Sequence, residues 1–476
     1  MSDTPFRIAL LGAFGAGASR PPLEARRIRR VDRDSLDQAL AATAPALALA
    51  LPERPEAAHL APRALDDLHP DRLIEQVDAL RELTDARSRM ATVPSFERTV
   101  ARIRAEADVR RPAPRADEGG AETLGLLERI VDAAAYAPAG SEPARGGDAE
   151  LEALIRRIVD PHVVHEPDAR QQAWLDEIDR ALQETLRAIV RHPALRALER
   201  SWRAVDFLAR RLETDGTLQL HLVDVDRDEL AADLERHEAD PARGAIARQL
   251  ARVAEGGWSL LVVLHDLGAT EADARLATRL AQFGRLQRAA VVAGARPALA
   301  GAPTFAGEID GEGWDGEPVG AWEAMRRDPR ARWLGLVAPR FLLRLPYGRH
   351  GELCERLAFE EIEDETAAEA HERYLWGSGA LCAALLLGEA FATDGWAMRP
   401  SHDVPGLPLH VVHAGGEPTL LPCAEGTMYE RGAERLLELG IMPLAWMRDT
   451  DAVRLVRFQS VAWAPAPLAG RWEETR

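Results

Sequence analysis

The stretch Leu260-Leu-Val-Val-Leu264, followed by His265-Asp266-Leu-Gly-Ala-Thr270, decides the fold class of this chain. Five consecutive apolar residues between polar ones indicate a strand that is buried on both faces. Thr270, with Asp273 three residues later, is typical of the capping box that begins a helix. The sequence therefore predicts a buried strand that leads directly into a helix.

The same alternation extends to both sides of this stretch. A candidate strand at 218–223, apolar at 218, 220, 222 and 223, precedes a helix that begins after Asp226, and an apolar run follows at 289–293. An earlier candidate strand lies at 6–11. Alternating strands and helices are typical of a sheet that is at least partly parallel. We predict an α/β fold with mixed α+β character, in which mixed sheets are flanked by helices.

Composition divides the chain into segments. Residues 109–123 contain Pro112, Pro114, Gly119 and Gly120 among charged residues and almost no apolar ones, which predicts a flexible linker. We therefore expect one segment at 1–108, the linker at 109–123, a tethered helix with a second linker at 124–148, and a large domain at 149–476.

The tethered stretch begins with a short amphipathic pattern. At helical spacing its apolar residues, Leu126, Leu127, Ile130 and Val131, fall on one side. Such a face either packs within the same protein or fits into a groove of a partner. Both interpretations stay open on the sequence alone.

Composition and charge exclude several functions. Among 476 residues, 77 are acidic and 59 basic, so the formal net charge is −18, which opposes binding to nucleic acid and to anionic lipid. All the basic residues are arginine, and this excludes every mechanism that needs a lysine. The uncharged stretches 39–52 and 375–388 are shorter than a membrane span. We expect neither nucleic-acid binding nor direct membrane insertion.

The cysteines agree with a reducing compartment, and no residue pattern predicts a metal or a cofactor. Cys354, Cys382 and Cys423 are too few and too scattered for a disulfide framework. His162 and His165 are three residues apart between prolines, which does not match the spacing of a zinc helix. We therefore expect no metal, no cofactor, no catalytic residues and a cytoplasmic location.

One glycine-rich loop, Gly12–Ser19, has the glycine spacing of a phosphate-binding loop and directly follows a predicted strand. The chemistry of such a loop needs a lysine on the phosphates, but Ala18 occupies that position, and two prolines follow where the helix should continue. A nucleotide-binding enzyme is therefore a remote alternative.

The order of the segments resembles the contractile sheath of type VI secretion systems. Short blocks at 6–12, 22–26, 31–37, 65–70 and 80–83 resemble the small sheath subunit. The stretch from residue 126 onward resembles the large subunit. The residues we single out as carrying this second likeness are Trp202, Arg203, Pro339, Arg340, Phe341, Arg344, Pro346, Tyr347, Gly348, Tyr374, Trp376 and Gly377.

This resemblance implies a fusion of both subunits in one polypeptide. The fold would be a sheath-type protomer of two intertwined segments joined by a flexible linker. Such protomers assemble helically in the cytoplasm around an inner tube protein, contact baseplate components and drive effector delivery by contraction. The sheath has no catalytic activity, and a separate AAA+ ATPase disassembles it.

Two finer expectations depend on the same resemblance. The family's ATPase binds a short helix near the start of the large subunit, so Leu126, Leu127, Ile130 and Val131 are candidate contact residues. The domain 149–476 ends without the C-terminal region usual in the large subunit. An alternative function is therefore an accessory or baseplate-type assembly protein that does not form a full sheath.

Overall fold

The computed structural model describes residues 4–16, 20–43, 45–52, 57–91, 169–254, 256–314, 320–363, 367–414 and 417–475. The predicted linker and the tethered stretch, 109–148, lie outside these residues. So do residues 17–19 of the glycine-rich loop and the pair His162 and His165.

The strands, numbered in chain order, are β1 (Phe6–Gly12), β2 (Arg29–Val31), β3 (Leu47–Leu49), β4 (Ala58–Leu60), β5 (Leu218–Asp224), β6 (Leu260–Leu267), β7 (Ala290–Ala295), β8 (Gly307–Ile309), β9 (Leu334–Ala338), β10 (Phe341–Leu342), β11 (Trp376–Gly377), β12 (Asp403–Val404), β13 (Val411–Ala414), β14 (Glu417–Leu420), β15 (Gly426–Met428), β16 (Ile441–Trp446) and β17 (Val453–Leu455).

The α-helices are α1 (Leu36–Thr43), α2 (Pro70–Gln76), α3 (Asp78–Met90), α4 (Ala169–Val190), α5 (Pro193–Arg211), α6 (Arg227–Arg236), α7 (Ala245–Val253), α8 (Glu271–Gln287), α9 (Gly320–Arg327), α10 (Ala367–Arg373), α11 (Ala380–Asp394) and α12 (Glu430–Glu438). Short 3₁₀ helices connect several of these elements.

A nine-stranded sheet forms the centre of the larger compact unit, which comprises Met1–Leu73 and Arg187–Arg476. Its strand order is β12-β17-β16-β9-β7-β6-β1-β5-β2. The six strands from β16 to β5 are parallel, whereas β2, β17 and β12 pair antiparallel at the two sides. This confirms the predicted mixed α/β fold.

Helices pack on both faces of this sheet. Ala9 and Leu11 of β1 point into a buried cluster that includes Leu276 and Leu280 of α8. Ile8 points to the other face, where it approaches Gly388 of α11. Because successive strand residues point to opposite faces, the apolar residues 8–11 of β1 supply both layers.

Capping residues begin two of the helices as the sequence predicts. The Thr270 hydroxyl accepts a hydrogen bond from the Asp273 amide at 3.2 Å, and α8 follows. Asp226 accepts from the Glu229 amide at 2.8 Å at the start of α6. These side chains satisfy amides that have no partner within the first helical turn.

The second compact unit, Ile74–Leu186, contains α3 and most of α4. Arg87 Nε donates to Asp179 Oδ1 at 2.5 Å, and Gln171 Nε2 donates to the Met90 carbonyl at 2.7 Å. These contacts hold the two helices side by side. The chain after Pro70 forms two helices rather than one, because Val77 adopts an extended conformation between α2 and α3.

Candidate functional site

The two predicted segments of the chain meet inside the central sheet. Strand β1 pairs in parallel with β5 along its whole length, from Phe6 opposite Leu218 to Gly12 opposite Asp224. On its other side it pairs with β6. The first segment therefore supplies the interior strand β1 and the edge strand β2 to a sheet whose other strands come from the later segment, which confirms the expected intertwining.

A group of charged residues fixes the loop that follows β1. The amides of Phe14 and Gly15 each donate to Asp224 Oδ1 at 2.9 Å. Arg20 donates to both oxygens of the same carboxylate, at 3.0 and 2.7 Å. The two amides, which a phosphate-binding loop would offer to its ligand, are thus occupied by a carboxylate of the chain itself.

A second ion pair extends this group. Arg26 donates to Glu229 at 2.6 and 2.5 Å and to the Asp224 carbonyl at 3.0 Å. Burial alone would raise the pKa of Glu229, but the hydrogen bonds from Arg26 and from the Asp226 amide and the charge of Arg20 lower that pKa to about 2. We call these residues the junction cluster: Phe14, Gly15, Arg20, Arg26, Asp224 and Glu229.

Trp202 adds a further contact between the segments. Its indole Nε1 donates to the Phe14 carbonyl at 3.0 Å, and the two rings meet edge to face at 5.5 Å. Trp202 lies on α5, which begins after His192 with Pro193 in its first turn. The residue is completely buried, so its N–H needs this acceptor.

A second group of charged residues is buried beneath α5. Arg344 Nε and Nη2 donate to Glu199 at 2.6 and 3.2 Å, while Nη1 and Nη2 donate to Glu361 at 2.7 and 3.1 Å. The side chains of these three residues are each 2% exposed. One guanidinium is therefore held between two carboxylates, with nearly all of its donors satisfied.

Arg203 and Tyr347 complete this arrangement. Arg203 Nε donates to Glu199 at 2.7 Å, and the Tyr347 hydroxyl lies 3.2 Å from the same carboxylate. The Arg344 guanidinium also stacks on the Tyr347 ring, 3.9 Å from its centroid. We call this group the buried cluster: Glu199, Arg203, Arg344, Tyr347 and Glu361.

Pairing decides the charge states in the buried cluster. Burial alone would raise the pKa of Glu199, but Arg344 and Arg203 outweigh it and lower that pKa to about 2. Burial and the neighbouring Glu199 raise the pKa of the Tyr347 hydroxyl well above its ordinary value. At neutral pH Glu199 is thus ionised and the Tyr347 phenol is neutral. Neither of these two groups is poised to exchange a proton near pH 7.

Further signature residues surround a neighbouring acid, Glu425. Arg340 donates to Glu425 through its amide at 3.2 Å and its Nε at 3.0 Å, and His371 Nε2 lies 3.3 Å from the same carboxylate. Pro339, just before, follows a cis peptide bond. Phe341 is fully buried and packs on Phe207 with ring centroids 4.9 Å apart.

The remaining signature residues shape the loops around these groups. The Pro346 carbonyl accepts a hydrogen bond from the Glu352 amide at 2.9 Å. The chain turns at Gly348, which has a φ of +149°, and a Cβ at this position would lie 2.1 Å from Glu360 Oε2. Gly377 and Trp376 of β11 pair with β10, and Tyr374 hydrogen-bonds His410 at 2.7 Å. Each of these residues thus contacts a neighbouring loop or strand within the chain.

The sequence reasoning missed the acidic partners of these arginines. The sequence pattern does not distinguish Glu199, Glu361 and Glu425 from the many other acids of the chain, and Asp224 lies just beyond the predicted strand at 218–223. Position is the available signal for Glu199, which lies on the apolar face of α5 between Leu195 and Trp202. The four candidate ATPase-contact residues lie outside the described residues.

Two other classes of site were tested in the structure. Within the described ranges, no group of three or more His, Cys, Asp or Glu side chains could hold a metal ion. The window Ala380–Ala397 is long and apolar enough to cross a membrane, but 61% of it is buried. Because α11 packs on β1, β5, β6, β7 and β9, it has the character of a core helix of a globular fold.

These features define a class of protein: an α/β protein whose central sheet is completed by a strand from a separate N-terminal segment. The family models identify the two parts. Residues 172–462 match VipB, described as EvpB, tail sheath N-terminal domain, and residues 1–106 match the type VI secretion system VipA family. The chain belongs to the VipB tail sheath family, and it carries a VipA part in the same polypeptide.

One curated relative supports this assignment. The chain is 25% identical over 301 residues to the "Type VI secretion system sheath protein TssC1" of Pseudomonas aeruginosa. The match covers 60% of this chain, and it spans 60% of the length of that relative.

Proposed function

We propose that this chain is a structural component of a type VI secretion contractile sheath, in which one polypeptide supplies both the VipA and the VipB part of each protomer. Protomers assemble helically around an inner tube, and contraction of the assembly drives effector delivery. The observation that carries this proposal is the interior position of β1. Because β1 lies between β5 and β6, the VipA part contributes an interior strand to the central sheet of the protomer.

Fusion of the two parts gives the assembly a defined stoichiometry. Joining the two parts in one polypeptide raises the effective concentration of one part around the other to about the millimolar range. The VipA and VipB parts are therefore always supplied one to one. In this proposal the sheath is made from a single gene product.

Electron microscopy of the purified full-length chain tests this proposal. The chain is imaged alone and after co-expression with the tube protein encoded nearby. We expect long striated tubes in at least one sample. Monomers or small oligomers in both samples would contradict the sheath and would favour the accessory or baseplate-type role.

We also propose that the chain acts without catalysis and in the cytoplasm. The junction cluster supports the first point, because Asp224 and Arg20 already occupy the loop that a nucleotide would need. Isothermal titration with ATP checks it, and we expect no binding heat. Saturable binding that is lost in Gly17→Asp would contradict it.

Disassembly by an AAA+ ATPase is a further part of the proposal. The apolar residues Leu126, Leu127, Ile130 and Val131 form one side of an amphipathic sequence pattern, which suits recognition of a helix in a groove. We propose that this stretch is the contact for the ATPase. Baseplate components and the tube protein are the other proposed partners.

A pull-down with the ATPase tests this contact. Leu127→Asp combined with Ile130→Asp is expected to abolish capture, because two charges would enter an apolar interface. The matched control exchanges the polar neighbours Glu128→Gln and Arg129→Gln, which should leave capture intact. Equal capture by both double variants would refute the contact while leaving the sheath proposal untouched.

A further inference from the structure

A small polar site lies above Gly294, near the carboxyl end of β7 and outside both clusters. Asp266 near the end of β6 and Ser378 just before α11 both point at it. A Cβ placed on Gly294 would lie 1.9 Å from Asp266 Oδ1 and 2.5 Å from Ser378 Oγ. The two oxygens are thus aimed at nearly the same point.

Neither of these oxygens has a hydrogen-bond partner among the described residues, although both are buried from solvent. Ser378 as a whole is 6% exposed. Buried hydroxyl and carboxylate oxygens are nearly always hydrogen-bonded, because removing them from water without a new partner costs free energy. Since no hydrogen bond joins Asp266 to Ser378, a third group is needed between them.

The charges around the site limit what that group can be. Arg200 on α5 also has a buried Nε without a hydrogen-bond partner. Burial lowers the pKa of Arg200, and Asp266 is the strongest of the neighbouring charges that oppose this shift. A carboxylate disfavours an anion, and the adjacent guanidinium disfavours a second cation. The group is therefore neutral and small, and it both donates and accepts hydrogen bonds.

We propose that Asp266 and Ser378 bind one water molecule above Gly294, and that this water joins the end of β6 to the start of α11. Water donates to the carboxylate oxygen and accepts from the hydroxyl, so both orphaned atoms are satisfied. Because Gly294 has no side chain, there is room above it for the Asp266 and Ser378 oxygens. The proposal does not depend on the sheath function.

A high-resolution structure of the full-length chain, by crystallography or by electron microscopy of the assembled form, tests this site directly. We expect a single density peak about 2.7–3.2 Å from both Asp266 Oδ1 and Ser378 Oγ. A direct bond between the two side chains would overturn the proposal. A peak with several oxygen ligands at about 2.4 Å, typical of a cation, would also overturn it, as would absence of any peak.

Thermal unfolding of variants provides a second test. Ser378→Ala and Asp266→Ala should each lower Tm by about 2 °C, and the double variant should lower it by less than the sum, because either change already removes the bridge. If the Tm decrease of the double variant equals the sum of the two single decreases, the water bridge is contradicted.

Glycine variants supply the matched comparison. Gly294→Ala should lower Tm, because its methyl group collides with both oxygens, and it should remove the density peak. Gly216→Ala is the control, since nothing lies within 4 Å of its Cβ position. Retention of the peak in Gly294→Ala would contradict the proposed position of the water. If this variant does not fold, the Ser378 and Asp266 variants still decide the question.

Discussion

The buried cluster and the junction cluster are built from the same chemical groups, but they differ in their access to water. The side chain of Arg344 is 2% exposed, whereas Arg20 is 14% and Glu229 is 29% exposed. Water can partly replace a lost partner in the junction cluster but not in the buried one. We therefore expect a change in the buried cluster to cost more unfolding free energy than a matching change in the junction cluster.

The largest expected effect is the removal of the central arginine of the buried cluster. Arg344→Met leaves the carboxylates of Glu199 and Glu361 buried without their main partner, and should cost about 3–5 kcal/mol of unfolding free energy. Urea unfolding of the purified chain measures this change. Arg349→Met is the control, because its pair with Glu360 at 3.4 Å is exposed on the arginine side. Equal loss in both variants would remove the distinction between buried and exposed pairs.

Acid should act on His221 of the central sheet at a higher pH than on the buried cluster. Burial, with the charges of Arg30 and Arg7, lowers the pKa of His221 on β5 to about 4, from an ordinary value of 6.5. The folded state therefore binds fewer protons, so the contribution of His221 is complete above pH 6.5 and is lost as the pH falls toward 4.

Glu199, with a pKa of about 2, responds only below pH 4.5. Urea unfolding at intervals from pH 7.5 to 4 measures the difference. His221→Gln should flatten the loss of stability between pH 6.5 and 4, and His59→Gln, an exposed residue, should not. An unchanged pH profile in His221→Gln would show that this histidine does not carry the effect.

An intermediate effect is expected at the junction cluster. Asp224→Ala frees the amides of Phe14 and Gly15 and leaves Arg20 without its main acceptor, which should cost about 1–3 kcal/mol. The loss should shrink at high salt, because screening already weakens the wild-type ion pairs. Asp240→Ala is the matched control, since its pair with Arg243 is exposed. A cost equal to that of Arg344→Met would contradict the proposed difference between the clusters.

The smallest expected effect concerns a half-exposed ion pair. Asp403 and Arg454 join β12 to β17 with distances of 2.6 and 2.8 Å, but both side chains are about half exposed. Asp403→Asn should change the unfolding free energy by less than about 1 kcal/mol. Urea unfolding checks this, and a larger loss would show that geometry outweighs exposure in these pairs.

The sequence predicted the strands of the sheet well, because buried parallel strands are continuous apolar runs. The predicted strand at 260–264 lies within β6, and the one at 6–11 lies within β1. The sequence could not predict that β1 lies between β5 and β6, because pairing between distant strands leaves no local pattern. It also did not predict the break at Val77, since the apolar spacing of α2 and α3 continues across it.

The site was predicted in part. The resemblance selected Trp202, Arg344 and Tyr347, and the structure gives each a buried polar contact. Their partners were not predicted because an acid in a sequence with 77 acidic residues is ordinarily solvated. Only the three-dimensional structure shows which carboxylates are excluded from water.

The place of β1 in the sheet also affects how the protein is made. Strand β1 is synthesised first, but its partners β5 and β6 begin at Leu218 and Leu260. At the usual speed of translation the ribosome needs on the order of ten seconds or more to reach them. An apolar strand is left without its neighbours during that time, and unpaired strands are prone to aggregate. Slow elongation and chaperone supply should therefore limit the yield of this protein more than its final stability does.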